Sequence, residues 1–345
     1  PLPPQVEDRL RDLHLLPLYT HQTQALNTLR GGEHVMVSTP SASGKSLVYN
    51  LAAIETLVTE RGSTALYLFP TKALTQDQWR GLRELAVPHF LDEQEAGAYD
   101  GDTPTSERSQ IRRRARVVFT NPDMLHMGIL PNHAGWARFL RRLRLVVVDE
   151  AHTYRGAFGS HVALVLRRLR RLCAAYGAHP RFVLCSATLS NPDELAHKLV
   201  GMPCPVVTED GSPSGGKDFV LWNPPRLPGG KVGRRSANIE AATILTELLR
   251  HGVRTLTFAR TRKLTELIYL YCRDALRGQG YNDLSQRLRP YRAGYLPEVR
   301  REIESQLFQG ELLGVVATTA LELGIDIGTL DATVLTGYPG SIAST

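Results

Sequence analysis

Cysteine is scarce in this chain. Its four residues, Cys173, Cys185, Cys204 and Cys272, are scattered over 345 positions with no Cys-x-x-Cys pair. That spacing argues against a disulfide framework and a cysteine zinc cluster, and it fits a reducing, cytoplasmic setting. Aromatic residues make up only 7% of the chain, and runs such as "LRLVVVDEAH" are far too short to cross a bilayer. No basic segment followed by an apolar stretch stands at "PLPPQVEDRLRD", so no secretory leader is expected. What is present is 42% hydrophobic and 22% charged residues, the balance of a globular protein with full-sized cores and room for two domains. The formal charge of +7, carried mostly by arginine, suits a polyanionic partner without requiring one.

Short β-branched runs recur along the chain: Val35–Val37, Ala65–Phe69, Val117–Phe119, Leu145–Val148 and Phe182–Cys185, then Thr255–Phe258, Val315–Ala317 and Thr333–Leu335. Most are followed by amphipathic helical pattern, and continuous apolar strands alternating with helices predict parallel sheets covered on both faces. The fold class is therefore α/β. A stretch rich in Gly, Pro and Ser predicts a linker over 207–236 between one unit at 1–206 and a second at 237–345. The second unit shows few strands before "GYPGSIAST" and is expected to be incomplete, part of a longer protein.

Two motifs carry chemistry. "TPSASGKS", Thr39 to Ser46, lies between a buried strand and a helix, where backbone N–H groups and the helix dipole favour a phosphate. Ser41, Ala42, Ser43 and Gly44 are small enough to wrap it, Lys45 would reach the β- and γ-phosphates, and the Ser46 hydroxyl would bind Mg²⁺. Thr39 stands where the strict pattern has glycine, and a small-residue turn that binds nothing is the plain alternative. About a hundred residues on, "LRLVVVDEAHTYRG" delivers Asp149 and Glu150 at a strand's carboxyl end, where parallel sheets bind ligands. Asp149 is placed to hold Mg²⁺ through its outer sphere, and Glu150 to orient or deprotonate an attacking water. The plain alternative is an acidic cap on the next helix.

Asp-Glu-Ala-His after such a strand resembles motif II of superfamily 2 DEAH/DExH-box helicases, and the rest of that set appears in order. "LYTHQTQAL" resembles the Q motif, which implies Gln22 on the adenine edge. "FPTKALTQDQ" resembles motif Ia and "TNPDML" motif Ib, which imply nucleic-acid contacts from Pro70, Thr71 and Lys72 and from Thr120, Asn121 and Pro122. Ser186, Ala187 and Thr188 resemble motif III, which links nucleotide state to nucleic-acid grip. "TFARTRKLTELI" resembles motif IV, with Arg260 toward nucleic acid. "VVATTALELGIDIG" resembles motif V, with Thr318 and Thr319 toward nucleic acid and Gly324 and Asp326 toward the nucleotide. His152, by the same resemblance, couples hydrolysis to strand movement by reaching toward the second unit.

Within the superfamily, "LPNHAGWARFLRRLRLVVVDEAHTYRGAFGSHVALVLRRLRRLC" and "YRAGYLPEVRREIE" resemble the MrfA/YprA-type DNA helicases, relatives of the RecQ-like branch. The resemblance implies two RecA-like P-loop domains with parallel sheets and a truncated second domain. It also implies ATP and Mg²⁺ as cofactors and 3′→5′ movement on single-stranded DNA with a role in DNA repair. Motif VI and its arginines would follow "YPGSIAST". An RNA helicase, an ATP-clamped nucleic-acid-binding module and a P-loop kinase remain as alternatives. The arginine clusters at 112–114, 141–144 and 167–171 read as solvated faces, and His126, His133 and His161 as structural residues.

Overall fold

The computed structural model describes every residue except 1, 214, 228–232, 293, 319–320, 322–329 and 339–345, and the side chains of Ala73 and Pro297. Thr319, Gly324 and Asp326 thus lie outside the described residues. Two compact units are present, Pro1–Gly215 and Gly216–Thr345.

In the first unit, β1 (Val35–Ser38), β2 (Thr64–Leu68), β3 (Ala96–Ala98), β4 (Val117–Thr120), β5 (Leu143–Val148), β6 (Arg181–Ser186) and β7 (Val206–Val207) form a parallel sheet ordered β3-β4-β2-β5-β6-β1-β7. The apolar runs are continuous because both faces are covered. Val37, Tyr67, Phe119 and Val147 enter one core, and their neighbours Met36, Leu66, Val118 and Val146 enter the other. The pairing sets the strand ends level: Leu68 lies opposite both Thr120 and Val148, Val148 opposite Leu184, and Ser186 opposite Ser38. Every loop expected to bind a ligand in this unit therefore leaves the same edge.

Helices return the chain between strands. Lys45–Thr59 follows β1, and Lys72–Ala86 follows β2 with Thr71 as N-cap, its hydroxyl oxygen accepting from the Leu74 N–H at 3.3 Å. In the Gly156–Ala175 helix, whose apolar spacing predicts a stripe of Val162, Val165, Leu169 and Leu172, the first three are buried and Leu172 is half-buried. Two of its four arginines do more than face water. Arg167 and Arg170 donate to the carbonyls of Lys198 and Val200 at 3.2 and 2.8 Å, and so cap the end of the Pro192–Val200 helix.

The second unit holds β8 (Thr255–Phe258), β9 (Leu288–Tyr291), β10 (Gly314–Ala317) and β11 (Ala332–Leu335), parallel in the order β11-β8-β10-β9. It begins inside the stretch expected as a linker. Buried Glu240 there accepts from Trp222 Nε1 at 3.2 Å and Arg235 at 3.1 Å, which fastens part of that stretch to this unit.

Candidate functional site

The strand order gathers the first unit's motifs. β1, β6 and β5 are neighbours, so the Thr39–Ser46 turn, the Ser186–Thr188 segment and the acidic pair emerge side by side. β2 and β4 lie beyond β5 and carry Pro70–Lys72 and Thr120–Pro122. Asp149 stands at the seam between the two groups.

The turn after β1 is shaped by two residues in the left-handed region, Ala42 at φ +62° and Gly44 at φ +80°. For alanine that conformation costs about 1–2 kcal/mol, a strain of the kind that collects at functional sites. A side chain at Gly44 would also press on Gln22. A Cβ there would lie 2.7 Å from Gln22 Nε2. Gln22, almost fully buried, donates from Nε2 to the Gly44 carbonyl at 3.0 Å and accepts the Tyr19 N–H at 2.9 Å. It thus braces the loop in addition to the adenine role expected of it. Thr39 is buried, and its hydroxyl lies 2.8 Å from that of Ser43, so the side chain where glycine was expected closes the turn instead of obstructing it. Lys45 Nζ donates to the carbonyls of Thr39 and Pro40 at 2.9 and 2.6 Å, with Ser46 next to it in the first turn of the helix. Ser41 is exposed, within reach of an incoming anion.

Asp149 is 8% exposed and has its oxygens engaged: Oδ1 accepts the Glu150 N–H at 2.8 Å, and Oδ2 lies 2.9 Å from the Tyr49 hydroxyl. Burial and the neighbouring Glu150 charge push its carboxyl up to about 7, against the pull of Lys45. No three His, Cys, Asp or Glu among the described residues are grouped to cage a metal. A buried carboxylate after β5 and a serine in the first turn of the helix after β1 fit the other arrangement, in which Mg²⁺ rests on one or two protein oxygens plus substrate phosphates.

A pH test follows. In the metal-free chain the folded Asp149 holds its proton up to about pH 7, whereas the unfolded chain releases it near 3.8. Asp149's contribution to stability is present in full below the lower value and is lost as pH rises to the upper one. Thermal unfolding in EDTA should show Asp149→Asn gaining on wild type between about pH 4 and pH 7. A constant difference would refute the assignment.

Glu150 adopts φ +49°, a second strained non-glycine residue in this unit's site. Burial pushes its carboxyl up and Lys45 draws it down. Burial lowers the His152 imidazole below its usual value, with Arg155 and Lys45 acting in the same direction, and its Nδ1 lies 3.2 Å from Glu150 Oε2 and 3.3 Å from Ser186 Oγ. The His152 contacts described here thus join motif II to the Ser-Ala-Thr segment inside the first unit. That segment is also tied to β1: Ser38 Oγ donates to Ala187 O and accepts the Leu189 N–H, both at 3.2 Å. Thr188 is exposed.

The residues beyond β5 divide by surroundings. Lys72 is exposed and paired with Asp102 at 2.7 Å. Thr71 and Asn121 cap helices, and Pro70 is half-buried. Thr120 is fully buried with its hydroxyl on Tyr99 O at 2.6 Å, and Pro122 is buried too, so both serve the scaffold under this edge. In the second unit Arg260 is exposed after β8, and Thr318 follows β10 with its N–H on Tyr291 O at 3.2 Å. His133 is structural, its Nδ1 lying 2.7 Å from the Tyr176 hydroxyl. Sequence reading missed Tyr49. The signal was available, because Tyr49 lies one helical turn after Lys45 and so on the same face.

A family model described as DEAD/DEAH box helicase matches residues 19–195, just over half of the chain. The chain belongs to the DEAD/DEAH box helicases. It is 44% identical over its whole length to the uncharacterized ATP-dependent helicase YprA of Bacillus subtilis, covering 46% of that protein. It is 47% identical over 94% of its length to the ATP-dependent helicase HRQ1 of Saccharomyces cerevisiae, covering 31% of it. The chain thus spans less than half the length of these curated relatives. Crystal structures of the DUF1998 helicase MrfA, bound to DNA or to DNA and AMPPNP, superimpose on 99% of the chain with a TM-score of 0.93 at 44% identity, and the chain covers 48% and 47% of them. The two RecA-like α/β units are thereby shown as a fold.

Proposed function

We propose that this chain is the motor core of an ATP-dependent DNA helicase or translocase. The convergence of Lys45, Asp149 and Glu150 at level ends of nearby strands supports the reading most directly. A protein using ATP only as a clamp has no need of a strained, water-activating Glu150. Relatives named as ATP-dependent helicases, and a structural neighbour bound to DNA and AMPPNP, favour DNA and ATP.

In this reading the left-handed turn at Ala42 and Gly44 aims backbone N–H groups at the phosphates, and Lys45 exchanges its two carbonyl partners for phosphate oxygens. Ser46 and Asp149 would hold Mg²⁺, which when bound neutralises phosphate charge. Glu150 orients the attacking water and receives its proton, with His152 fixing the carboxylate. Gln22 reads the adenine while bracing Gly44; Gly324 and Asp326, outside the described residues, are given a nucleotide role by the resemblance alone. Lys72, Thr71, Asn121, Arg260, Thr318 and Thr319 grip phosphates, a contact without base reading that weakens with salt. By resemblance, movement is 3′→5′ on single-stranded DNA in a DNA-repair setting.

The test is ATP hydrolysis by the intact protein with poly(dT) or poly(U), then strand displacement on 3′- and 5′-tailed duplexes. Stimulation by poly(dT) and displacement from the 3′ tail are expected. Preference for poly(U) would move the substrate to RNA, and failure to bind ATP would end the motor reading.

A further inference from the structure

The hydroxyl of Tyr49 stands where the two groups of motifs meet. Tyr49 belongs to the helix that starts with Lys45, and Gln78 to the helix that starts with Lys72. Asp149 directly follows β5, the strand between β6 on the nucleotide side and β2 on the nucleic-acid side. The Tyr49 hydroxyl lies 2.9 Å from Asp149 Oδ2 and 2.7 Å from Gln78 Oε1, and Tyr49 is fully buried. Its ring is fixed edge-on against Tyr67, with centroids 5.6 Å apart at 86°.

One hydroxyl carries one proton, and when Asp149 is ionised two acceptor oxygens face it. When the proton points to Asp149, the Gln78 carbonyl confronts a lone pair. The relief is a half-turn of the Gln78 amide, which then offers Nε2 to Tyr49 and abandons its 3.3 Å bond to Asp77 Oδ2. When the proton points to Gln78, Asp149 Oδ2 is released for another donor. The ring cannot follow either change because its packing holds it. The adjustment therefore falls on the Lys72–Ala86 helix, through Gln78 and Asp77.

We propose that Tyr49 is a positioning residue joining the Asp149 carboxylate to the Lys72–Ala86 helix, so that whatever Asp149 engages is transmitted to the start of that helix. The inference rests on the motor reading, in which nucleotide sits on one side of Tyr49 and nucleic acid on the other.

The test is a linkage measurement on the intact protein: the affinity for a labelled dT oligonucleotide with and without Mg²⁺·AMPPNP. Coupling between such sites is usually about 5- to 150-fold. Tyr49→Phe keeps the ring and removes the hydroxyl. It is expected to bring the ratio of affinities to within about twofold of one, and Gln78→Met to do the same. The double variant should add nothing, as for two members of one connection. A wild-type ratio near one, an unchanged ratio in Tyr49→Phe, or logarithmic effects that sum in the double variant would overturn the proposal. Should Tyr49→Phe fail to fold, Gln78→Met on its half-buried position decides by the same ratio. Failure of the wild type to bind AMPPNP at all is a different result and counts against the motor reading itself.

Discussion

Replacing Glu150 by Gln is expected to lower ATP turnover by about 10²–10⁴-fold, the usual contribution of a positioned general base, with nucleotide binding retained. The amide matches the carboxylate in shape, and glutamine can occupy the same left-handed backbone at position 150. Its amide oxygen can face His152 Nδ1, which lies 3.2 Å from Glu150 Oε2, so the contact that orients the side chain survives. What is lost is the capacity to accept a proton. Burial raises the Glu150 carboxyl against the pull of Lys45, the direction that makes it a better proton acceptor. Steady-state phosphate release beside titration of a fluorescent nucleotide separates the two effects. Turnover within tenfold of wild type would remove Glu150 from this role.

Lys45→Ala is expected to weaken Mg²⁺·ATP binding by about 10- to 150-fold, the equivalent of a charged hydrogen bond at about 1.5–3 kcal/mol. The fold should be indifferent, because among the described residues Lys45 Nζ donates to Thr39 O and Pro40 O of its own loop. Removing its charge also takes away the pull that lowers both the Asp149 and Glu150 carboxyls. Affinity should therefore respond more steeply to pH than in wild type. Calorimetric titration together with a melting curve checks both statements. Unchanged affinity would show that this turn does not carry the phosphate.

Most of the fold was legible because central strands of a covered parallel sheet must be apolar on both faces. Val35–Ser38, Val117–Thr120 and Leu143–Val148 could not be mistaken for loops. Among the described residues the three unread strands, Ala96–Ala98, Val206–Val207 and Leu288–Tyr291, all lie at sheet edges. An edge strand needs pairing on one side only, so it can be short, or carry an exposed arginine and a proline as Arg289 and Pro290 show. The site divided in the same way. Lys45, Ser46, Asp149 and Glu150 were readable because their chemistry demands those residue types after a strand. The roles of Tyr49 and Thr39 were missed: Tyr49 shares a helix face with Lys45, but a tyrosine in a helix and a threonine after a strand have many ordinary uses.

The sequence by itself determined that small residues and a lysine would end one strand and two acidic residues another, since apolar run and polar terminus are adjacent in the chain. Only the tertiary structure decided that β5 lies in the middle of the sheet. Central placement buries Asp149 beneath Tyr49 from a hundred residues away, raises its carboxyl to about 7, and sets it between the two groups of motifs. Strand order depends on which faces pack together, and that choice is made by the assembled cores and not by any local run of residues.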